Sequence, residues 1–234
     1  MFLSTNSSPQ GVSEDHPDSY MNLAKRLARE NKGWFDVNQY DNLDNPEGHF
    51  LTLGPEIWEQ TQGTVTHFVA GASTGGTITG TGKFLKSKSP NIKCVLADPV
   101  GSIFYEYFQS RKLTQPVKFL VEGVGKGSIP GCMDIEIIDD VVRVTDEQAF
   151  RMCHEMAKKE GLMVGGSAGL NTWAAVELAN ELEVSYFCSL VQKSLDFVQE
   201  PGVIVTVLCD LGIKYLSKVF SKHWLKENDI NGAI

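Results

Sequence analysis

Three short apolar runs limit what this chain can fold into. THFVAG, KCVLADP and VIVTVLCD begin at Thr66, Lys93 and Val203, and the first and third lead directly into a stretch with helical spacing. Apolar runs without alternation are typical of strands that are buried on both faces, as in parallel sheets that are covered by helices. We therefore predict an α/β fold with a parallel sheet, and binding loops at the carboxyl ends of its strands.

Helical spacing and capping residues predict the connecting segments. Thr145 and Gln148 form a capping box, and Gly161 ends the helix that they begin. Ser19 or Asp18 can cap an earlier helix. The connection 181–202 is long and is predicted to carry further helix. Residues 33–48 are predicted to form turns. The predicted helices span residues 19–31, 52–62, 77–86, 146–160 and 211–227, with another after residue 169.

Composition excludes several classes of protein. A formal net charge of −8 argues against a nucleic-acid-binding face, which would be basic. The five cysteines are scattered and never spaced as C-x-x-C, which favours free thiols over disulfides or a zinc site. The first ten residues lack the pattern of a secretory leader, and no apolar run approaches the ~18 residues of a membrane helix. These features predict a cytoplasmic protein without nucleic-acid or membrane partners.

The segment STGGT, residues 73–77, follows the first apolar run directly. The first N–H groups of a helix have no intrahelical partner, and the helix dipole places partial positive charge at the same point. Small residues let an anion approach, and hydroxyl groups add donors. The pattern therefore predicts a phosphate site formed by Ser73, Thr74, Gly75, Gly76 and Thr77.

Other interpretations of this turn are weaker. A Walker loop needs G-K-[ST] after its glycines, and none is present. A dinucleotide-binding module has an acidic residue about 20 residues beyond its glycines, and Asp98 lies in that range, but the G-x-G-x-x-G pattern does not fit. A tight turn without a ligand would explain the glycines and leave the three hydroxyls unexplained.

Two further small-residue segments are candidates for ligand contact. In GGSAG, residues 165–169, Ser167 stands where a helix begins, so it is either an N-cap or a hydroxyl offered to a ligand, and both can hold. VEGVGKGSIPG, residues 121–131, carries four glycines and a proline. Composition alone favours a plain surface loop, and the functional alternative is a mobile loop that closes over a substrate.

Together these motifs resemble a known family. GASTGGTITGTG, ADPVGSI, LVEGVGKGSIP, IDDVV and EGLMVGGSAG occur in the order found in fold type II pyridoxal-phosphate enzymes, and residues 38–61 are also similar. The nearest members are cystathionine β-synthase and cysteine synthase (O-acetylserine sulfhydrylase). Asp98-Pro99, where cysteine synthases usually have Glu-Pro, favours the former. The resemblance implies the three-layer large lobe of that fold in residues 19–234, preceded by a loose segment, residues 1–18.

The resemblance also implies roles for single residues. The turn 73–77 would hold the phosphate of pyridoxal 5'-phosphate, and Ser167 would bond the pyridine nitrogen. Gly123 and Gly125 would line the pocket for an amino-acid substrate. The next residue, Lys126, departs from the acidic or aromatic residue that is frequent there. The implied reaction is β-replacement on serine or O-acetylserine, with homocysteine or sulfide as the second substrate, in a homodimer.

One expected element is absent from the sequence. These enzymes carry a Schiff-base lysine in an S-x-K motif upstream of the phosphate loop, and no lysine here has that context, so we expect most of the small N-terminal lobe to be missing. Three explanations stay open: an incompletely predicted gene, a chain split from its partner, or an inactive relative with a binding or regulatory role. The intact cofactor motifs favour the first.

Overall fold

A parallel sheet forms the centre of the molecule. The computed structural model describes residues 16, 17, 19–191 and 202–233. Its strands are β1 (His67–Gly71), β2 (Lys93–Pro99), β3 (Asp140–Val144) and β4 (Ile204–Thr206), in the order β3-β2-β1-β4. Every pair in this sheet is parallel, with Val69 opposite Val95 and Thr206. The predicted α/β fold with a parallel sheet is confirmed.

Helices cover both faces of this sheet. The described helices are α1 (Tyr20–Glu30), α2 (Asp44–Leu51), α3 (Leu53–Gln60), α4 (Gly76–Lys88), α5 (Phe104–Ser110), α6 (Asp146–Lys159), α7 (Gly166–Val191) and α8 (Lys222–Glu227), and those that contribute to the two faces are α3 to α8. Ser19 caps α1 by accepting from Asn22 N. The capping box of α6 forms as predicted, with Gln148 N donating to Thr145 Oγ1 at 3.2 Å.

Two hydrophobic clusters lie on opposite faces of the sheet, because successive side chains of a strand point to opposite sides. Val69, Val95 and Ala97 pack against the side chains of α6, α7 and α8. Phe68, Ala70 and Leu96 pack against α3, α4 and α5. Burial on both faces explains why these strands are continuously apolar. The result is the three-layer architecture that the resemblance implied.

The segment after β4 differs from the prediction. Residues 203–210 were expected to be a strand and 211–227 a helix, whereas β4 ends at Thr206 and the helix α8 starts at Lys222. Gly212 N donates to Met163 O at 2.9 Å, and Leu211 pairs with Val164. This antiparallel contact holds the chain extended, and only a 3₁₀ turn, Gly212–Tyr215, follows. Val219 and Leu225, which lie in this segment, are nevertheless buried.

Smaller differences concern elements that were not predicted. β3 was not predicted as a strand, and α2 begins inside the segment expected to form turns. The connection 181–202 does carry helix, since α7 continues to Val191, and residues 192–201 lie outside the described residues. Of the predicted loose segment, only residues 16 and 17 are described.

Two of the predictions from composition concern the cysteines and membrane helices. Cys94, Cys132, Cys153 and Cys209 are all free thiols, as predicted. In the described part of the chain, no helix combines the length and apolarity required to cross a membrane.

Candidate functional site

A cavity of about 520 Å³ opens at the carboxyl end of β1, where the sequence predicted a binding loop. Its floor is the end of the strand and the turn into α4. The loop after residue 121 and the segment after β4 form the opposite side. Its lining includes Ser73, Thr74, Gly75, Thr77, Gly123, Asn171 and Cys209, together with Tyr40 and His49. Neither an acidic residue nor a lysine or arginine lines this cavity among the described residues.

The turn 73–77 has the backbone of a helix start. Gly75 is the N-cap of α4 with φ +80°, a left-handed conformation that glycine adopts without strain. Gly76 N donates to Thr74 Oγ1 at 3.2 Å, and Asn45 Nδ2 donates to the same oxygen at 3.2 Å. The Thr74 hydroxyl is therefore held in place from both the turn and α2.

His49 contacts the second threonine of this turn. Its Nε2 lies 3.2 Å from Thr77 Oγ1. Burial lowers the pKa of the His49 imidazole below its ordinary value, so the ring is mostly neutral at pH 7. A neutral imidazole can donate to or accept from the hydroxyl, and an anion in the cavity would favour protonation of the ring.

The glycines of α4 have a packing role as well. A Cβ at Gly76 would collide with the Asn45 side chain, and a Cβ at Gly80 would collide with the Pro46 carbonyl oxygen. The backbone of α2 therefore lies directly against α4, and only glycine leaves room at both positions. Close approach of two helices, rather than ligand binding, is sufficient to explain these two glycines.

Asn171 connects the two strands that border the cavity. Its side chain is buried, and its Oδ1 accepts from Gly71 N at 2.7 Å. Its Nδ2 donates to Val207 O at 2.9 Å and lies 3.5 Å from Cys209 Sγ. Because β1 and β4 both end at this amide, Asn171 fixes the distance between the phosphate-type turn and the segment opposite.

Ser167 lies behind the cavity wall. It is buried in the first turn of α7, and its hydroxyl lies beside the Cys209 thiol, which does line the cavity. Burial raises the pKa of that thiol above its ordinary value, so it is protonated at neutral pH. A ligand atom would meet Cys209 beside Ser167 at this wall.

The loop 121–131 borders the cavity through Gly123, which has φ +82° and open space where a Cβ would point. Gly125 also has a positive φ, and its N donates to Ala72 O at 2.7 Å. A Cβ at Gly125 would lie 2.6 Å from the Phe119 ring, which leaves no room for a side chain. The loop is thus tied to the end of β1 at one point.

The structure brings together most of the predicted site residues. Ser73, Thr74, Gly75, Thr77 and Gly123 line one cavity, whereas Gly76, Gly125 and Ser167 lie next to lining residues. Sequence reasoning assigned no role to Tyr40, His49, Asn171 or Cys209. Asn171 follows Ser167 by four residues, the spacing of one helix face, and that spacing could have indicated it. The other three carry no such local signal.

Metal binding has no support in this region. Among the described residues, no group of three or more His, Cys, Asp or Glu side chains is arranged to hold a metal ion.

Comparison with known proteins agrees with the cavity. Residues 9–191 match the family described as "Pyridoxal-phosphate dependent enzyme". "Cysteine synthase 1" of Neurospora crassa is 34% identical over 230 residues, which are 95% of this chain and 56% of that protein. "O-acetylserine dependent cystathionine beta-synthase" of Bacillus subtilis is 37% identical, over 88% of this chain and 59% of that protein. "Cystathionine beta-synthase" of Saccharomyces cerevisiae is 33% identical, over 95% and 42%.

The chain thus spans between 42% and 59% of the length of these three relatives. The matched residues include the whole of the cavity lining except Val207 and Cys209. Three observations agree with one another. They are the α/β fold, the small-residue turn at a helix start and the family match over most of the sequence. The chain belongs to the pyridoxal-phosphate dependent enzyme family.

Proposed function

We propose that this chain is the cofactor-binding part of a β-replacement enzyme of cysteine and cystathionine synthesis. The first substrate is serine or O-acetylserine, and the nucleophile is homocysteine or sulfide. The observation that carries the proposal is the cavity at the end of β1, with three hydroxyl residues at the start of α4 on its surface. The names of the relatives, which include both cysteine synthases and cystathionine β-synthases, support the reaction class.

The residues that are present fit pyridoxal 5'-phosphate. A cavity of about 520 Å³ lies in the range of small-molecule sites. The start of α4 supplies N–H groups and a positive helix end for the phosphate. A phosphate dianion would meet no carboxylate among the described lining residues. Val124, Leu53 and Val207 provide apolar surface for a ring.

The proposed roles follow this placement. Ser73, Thr74, Gly75, Gly76 and Thr77 bind the phosphate through hydroxyl and backbone N–H groups. Ser167 bonds the pyridine nitrogen, and Cys209 is close enough to share or modify that contact.

Gly123 and Gly125 shape the substrate side of the cavity. The left-handed backbone at Gly123 leaves open space that a side chain would occupy.

When bound, the cofactor withdraws electrons from Cα of an amino-acid substrate, which makes replacement of the β-substituent possible. The contribution of this chain is to bind and orient. A neutral hydroxyl at the pyridine nitrogen leaves that nitrogen unprotonated, and Asn171 keeps the two cavity walls at a fixed separation.

A second candidate function is cofactor binding without catalysis, in a regulatory or partner-binding role. The observation that favours it is that no lysine lines the cavity among the described residues. A covalent link to the cofactor aldehyde requires such a lysine.

One experiment tests cofactor binding and asks whether this chain itself carries the covalent link that the second candidate lacks. Pyridoxal 5'-phosphate is added to the purified chain, and the absorbance spectrum and intact mass are recorded before and after borohydride reduction. Saturable binding without a reducible protein adduct supports a cofactor site that lacks its lysine. A specific adduct on one lysine would show that this chain completes the site itself. Absence of saturable binding would contradict both candidates.

We also propose that the protein is cytoplasmic and homodimeric. The free thiols of the described cysteines are typical of a reducing compartment. Light scattering should give twice the 25.8 kDa mass of one chain. A mass of one chain at micromolar concentration would contradict the dimer.

A further inference from the structure

We propose that Asp210 and Tyr215 are positioning residues for the ring end of the cofactor cavity. Together they hold the chain after β4 against the start of α7, and this contact sets where Ser167 and Cys209 stand in the cavity wall. The inference rests on the proposed function and deepens it, because it names the residues that keep the contact to the pyridine nitrogen in place.

Two backbone hydrogen bonds join the segment after β4 to the residues before α7. Gly165 N donates to Asp210 O at 3.1 Å, and Gly212 N donates to Met163 O at 2.9 Å. The two segments are far apart in the chain, so no local structure holds them together. The position of the first turn of α7 therefore depends on how well the segment after β4 keeps its conformation.

Both polar groups at this end of the wall belong to the two joined segments. Ser167 is the second residue after Gly165, and Cys209 directly precedes Asp210. The Ser167 hydroxyl lies beside the Cys209 thiol, which lines the cavity. A shift of one segment along the other would therefore move both groups relative to the ring of a ligand.

The Asp210 and Tyr215 side chains close the segment after β4 on itself. Tyr215 Oη donates to Asp210 Oδ2 at 2.9 Å across the 3₁₀ turn Gly212–Tyr215. Burial, together with this hydrogen bond, raises the pKa of Tyr215 to about 12, so the phenol is protonated and can donate at neutral pH. Lys214 Nζ lies 3.3 Å from the same oxygen, but its side chain is mostly exposed, so this ion pair contributes little.

The same two side chains pack directly on the backbone of Gly165, the last residue before α7. A Cβ at Gly165 would collide with Asp210 Oδ1 and would lie 2.5 Å from Tyr215 Cε2. The carboxylate and the ring thus hold Gly165 from one side. Asp210 Oδ1 is buried and has no hydrogen-bond partner among the described residues. An unpaired carboxylate oxygen costs stability, so stability alone does not explain this arrangement.

The two residues act on the cavity without contact to a ligand. Neither Asp210 nor Tyr215 is among the described residues that line it. Without the Tyr215 hydroxyl the carboxylate can turn away from Gly165, and the first turn of α7 loses its support. The Ser167 hydroxyl then meets the pyridine nitrogen in a poorer geometry, and hydrogen bonds weaken steeply as their angle departs from linear. The phosphate contacts at the start of α4 belong to the opposite wall and should not change.

Equilibrium titrations of the full chain with three ligands test this role. The ligands are pyridoxal 5'-phosphate, its deaza analogue, in which a C–H group replaces the pyridine nitrogen, and pyridoxal, which lacks the phosphate. The affinity ratio of the first two measures the contact to the nitrogen. We expect a preference of about five- to tenfold for the nitrogen, in line with one hydrogen bond. The affinity ratio of the first and third ligands measures the phosphate contact.

Four variants separate positioning from general stability. Tyr215→Phe and Asp210→Ala should reduce the nitrogen preference to less than about twofold and leave the phosphate preference unchanged. Asp210→Asn keeps an oxygen that can accept from the Tyr215 hydroxyl, so it should retain most of the nitrogen preference. Lys214→Met is the matched control, because it removes only the exposed ion pair to the same carboxylate, and it should retain both preferences.

A nitrogen preference that persists in the folded Tyr215→Phe chain would overturn the inference. Loss of both preferences together would also overturn it, since that would show a general loss of structure. Equal binding of the cofactor and its deaza analogue by the unmodified chain needs no variant and has the same consequence, while the proposed function stands because the cofactor still binds. A chain that does not bind pyridoxal 5'-phosphate at all loses the proposed function, and this inference with it.

Discussion

The two glycine-rich segments that meet at the cavity are built on different physical grounds. In the first, residues 71–80, Gly76 and Gly80 are required because α2 lies against α4 and leaves no space for a Cβ. In the second, residues 121–131, Gly123 has open space around it and is required for its left-handed backbone. Gly76 and Gly80 are thus fixed by packing, and Gly123 by local conformation.

This difference shows that similar composition can encode opposite mechanical properties. The first segment is anchored by α2, by Asn45 and by Asn171, so it forms a rigid wall. The second is anchored at separate points, Gly125 to Ala72 and Lys126 to Ser102. A rigid wall suits the cofactor phosphate, and a loop held at a few points suits a substrate that must enter and leave.

The largest expected effect is on the rigid wall. Gly80→Ala places a methyl group against the Pro46 carbonyl oxygen and forces α2 away from α4. We expect a loss of about 3 kcal/mol in the free energy of unfolding, measured by urea denaturation. Gly48→Ala is the matched control within α2, where a Cβ meets nothing within 4 Å. It should be neutral or stabilising, and equal losses in both variants would contradict the packing argument.

Asn171→Ala tests the anchor between the strands. It leaves Gly71 N and Val207 O without the amide that bonds both. Unsatisfied buried groups of this kind predict a loss of about 2 to 3 kcal/mol in urea denaturation, together with weaker cofactor binding. Asn91→Ala, at an exposed turn before β2, should change stability by less than about 0.5 kcal/mol. A stable Asn171→Ala variant with unchanged cofactor binding would contradict the claim that Asn171 holds the two strands together.

The stability of the region that anchors the second segment should depend on pH. Asp98 accepts a hydrogen bond from Tyr105 N and lies beside Ser102, whose hydroxyl accepts from Lys126 N. Burial raises the Asp98 pKa to about 6. Ser102, Tyr105 N and the charge of Arg143 act in the opposite direction and lower the pKa in part. The folded state thus binds this proton more tightly than the unfolded state does. Ionisation costs stability as pH rises from about 4 to 6, and the cost is complete above that range.

Asp98→Asn removes this titration and keeps an oxygen that can accept from Tyr105 N. The stability of the variant relative to the unmodified chain should therefore increase by about 2 kcal/mol between pH 4.5 and 7.5. Urea denaturation at several pH values measures the difference. A difference that stays constant with pH would show that Asp98 is ionised throughout.

The smallest expected effect is at Gly123. Alanine has room there but must adopt a left-handed backbone, which costs about 1 kcal/mol. Urea denaturation should show that loss without a change in secondary structure. A loss as large as that of Gly80→Ala would mean that both segments are fixed by packing, and the contrast between them would disappear.

Sequence patterns predicted the elements whose signals are local. β2 has the predicted limits, and the capping box at Thr145 forms because two side chains within one turn are sufficient for it. The segment after Asp210 could not be predicted in the same way. Its helical spacing is overridden by the pairing of Leu211 with Val164, a contact between residues far apart in the chain.

The same distinction applies to the site. The turn 73–77 was found because its hydroxyls and glycines are consecutive. His49 and Tyr40 reach the cavity only because α2 and the segment before it fold onto the start of α4, and no local pattern indicates that. The close fit of Asn45 against Gly76 is likewise a property of two helices and not of either sequence alone.

The central claim is that the start of α4 binds the phosphate of the cofactor. It is tested most directly by comparing pyridoxal 5'-phosphate with pyridoxal, which lacks the phosphate, in equilibrium titrations of the unmodified chain. Several charge-assisted hydrogen bonds to the phosphate predict at least about a hundredfold tighter binding of the phosphorylated form. Equal affinities would contradict the claim and show that the turn is a structural feature without a phosphate ligand.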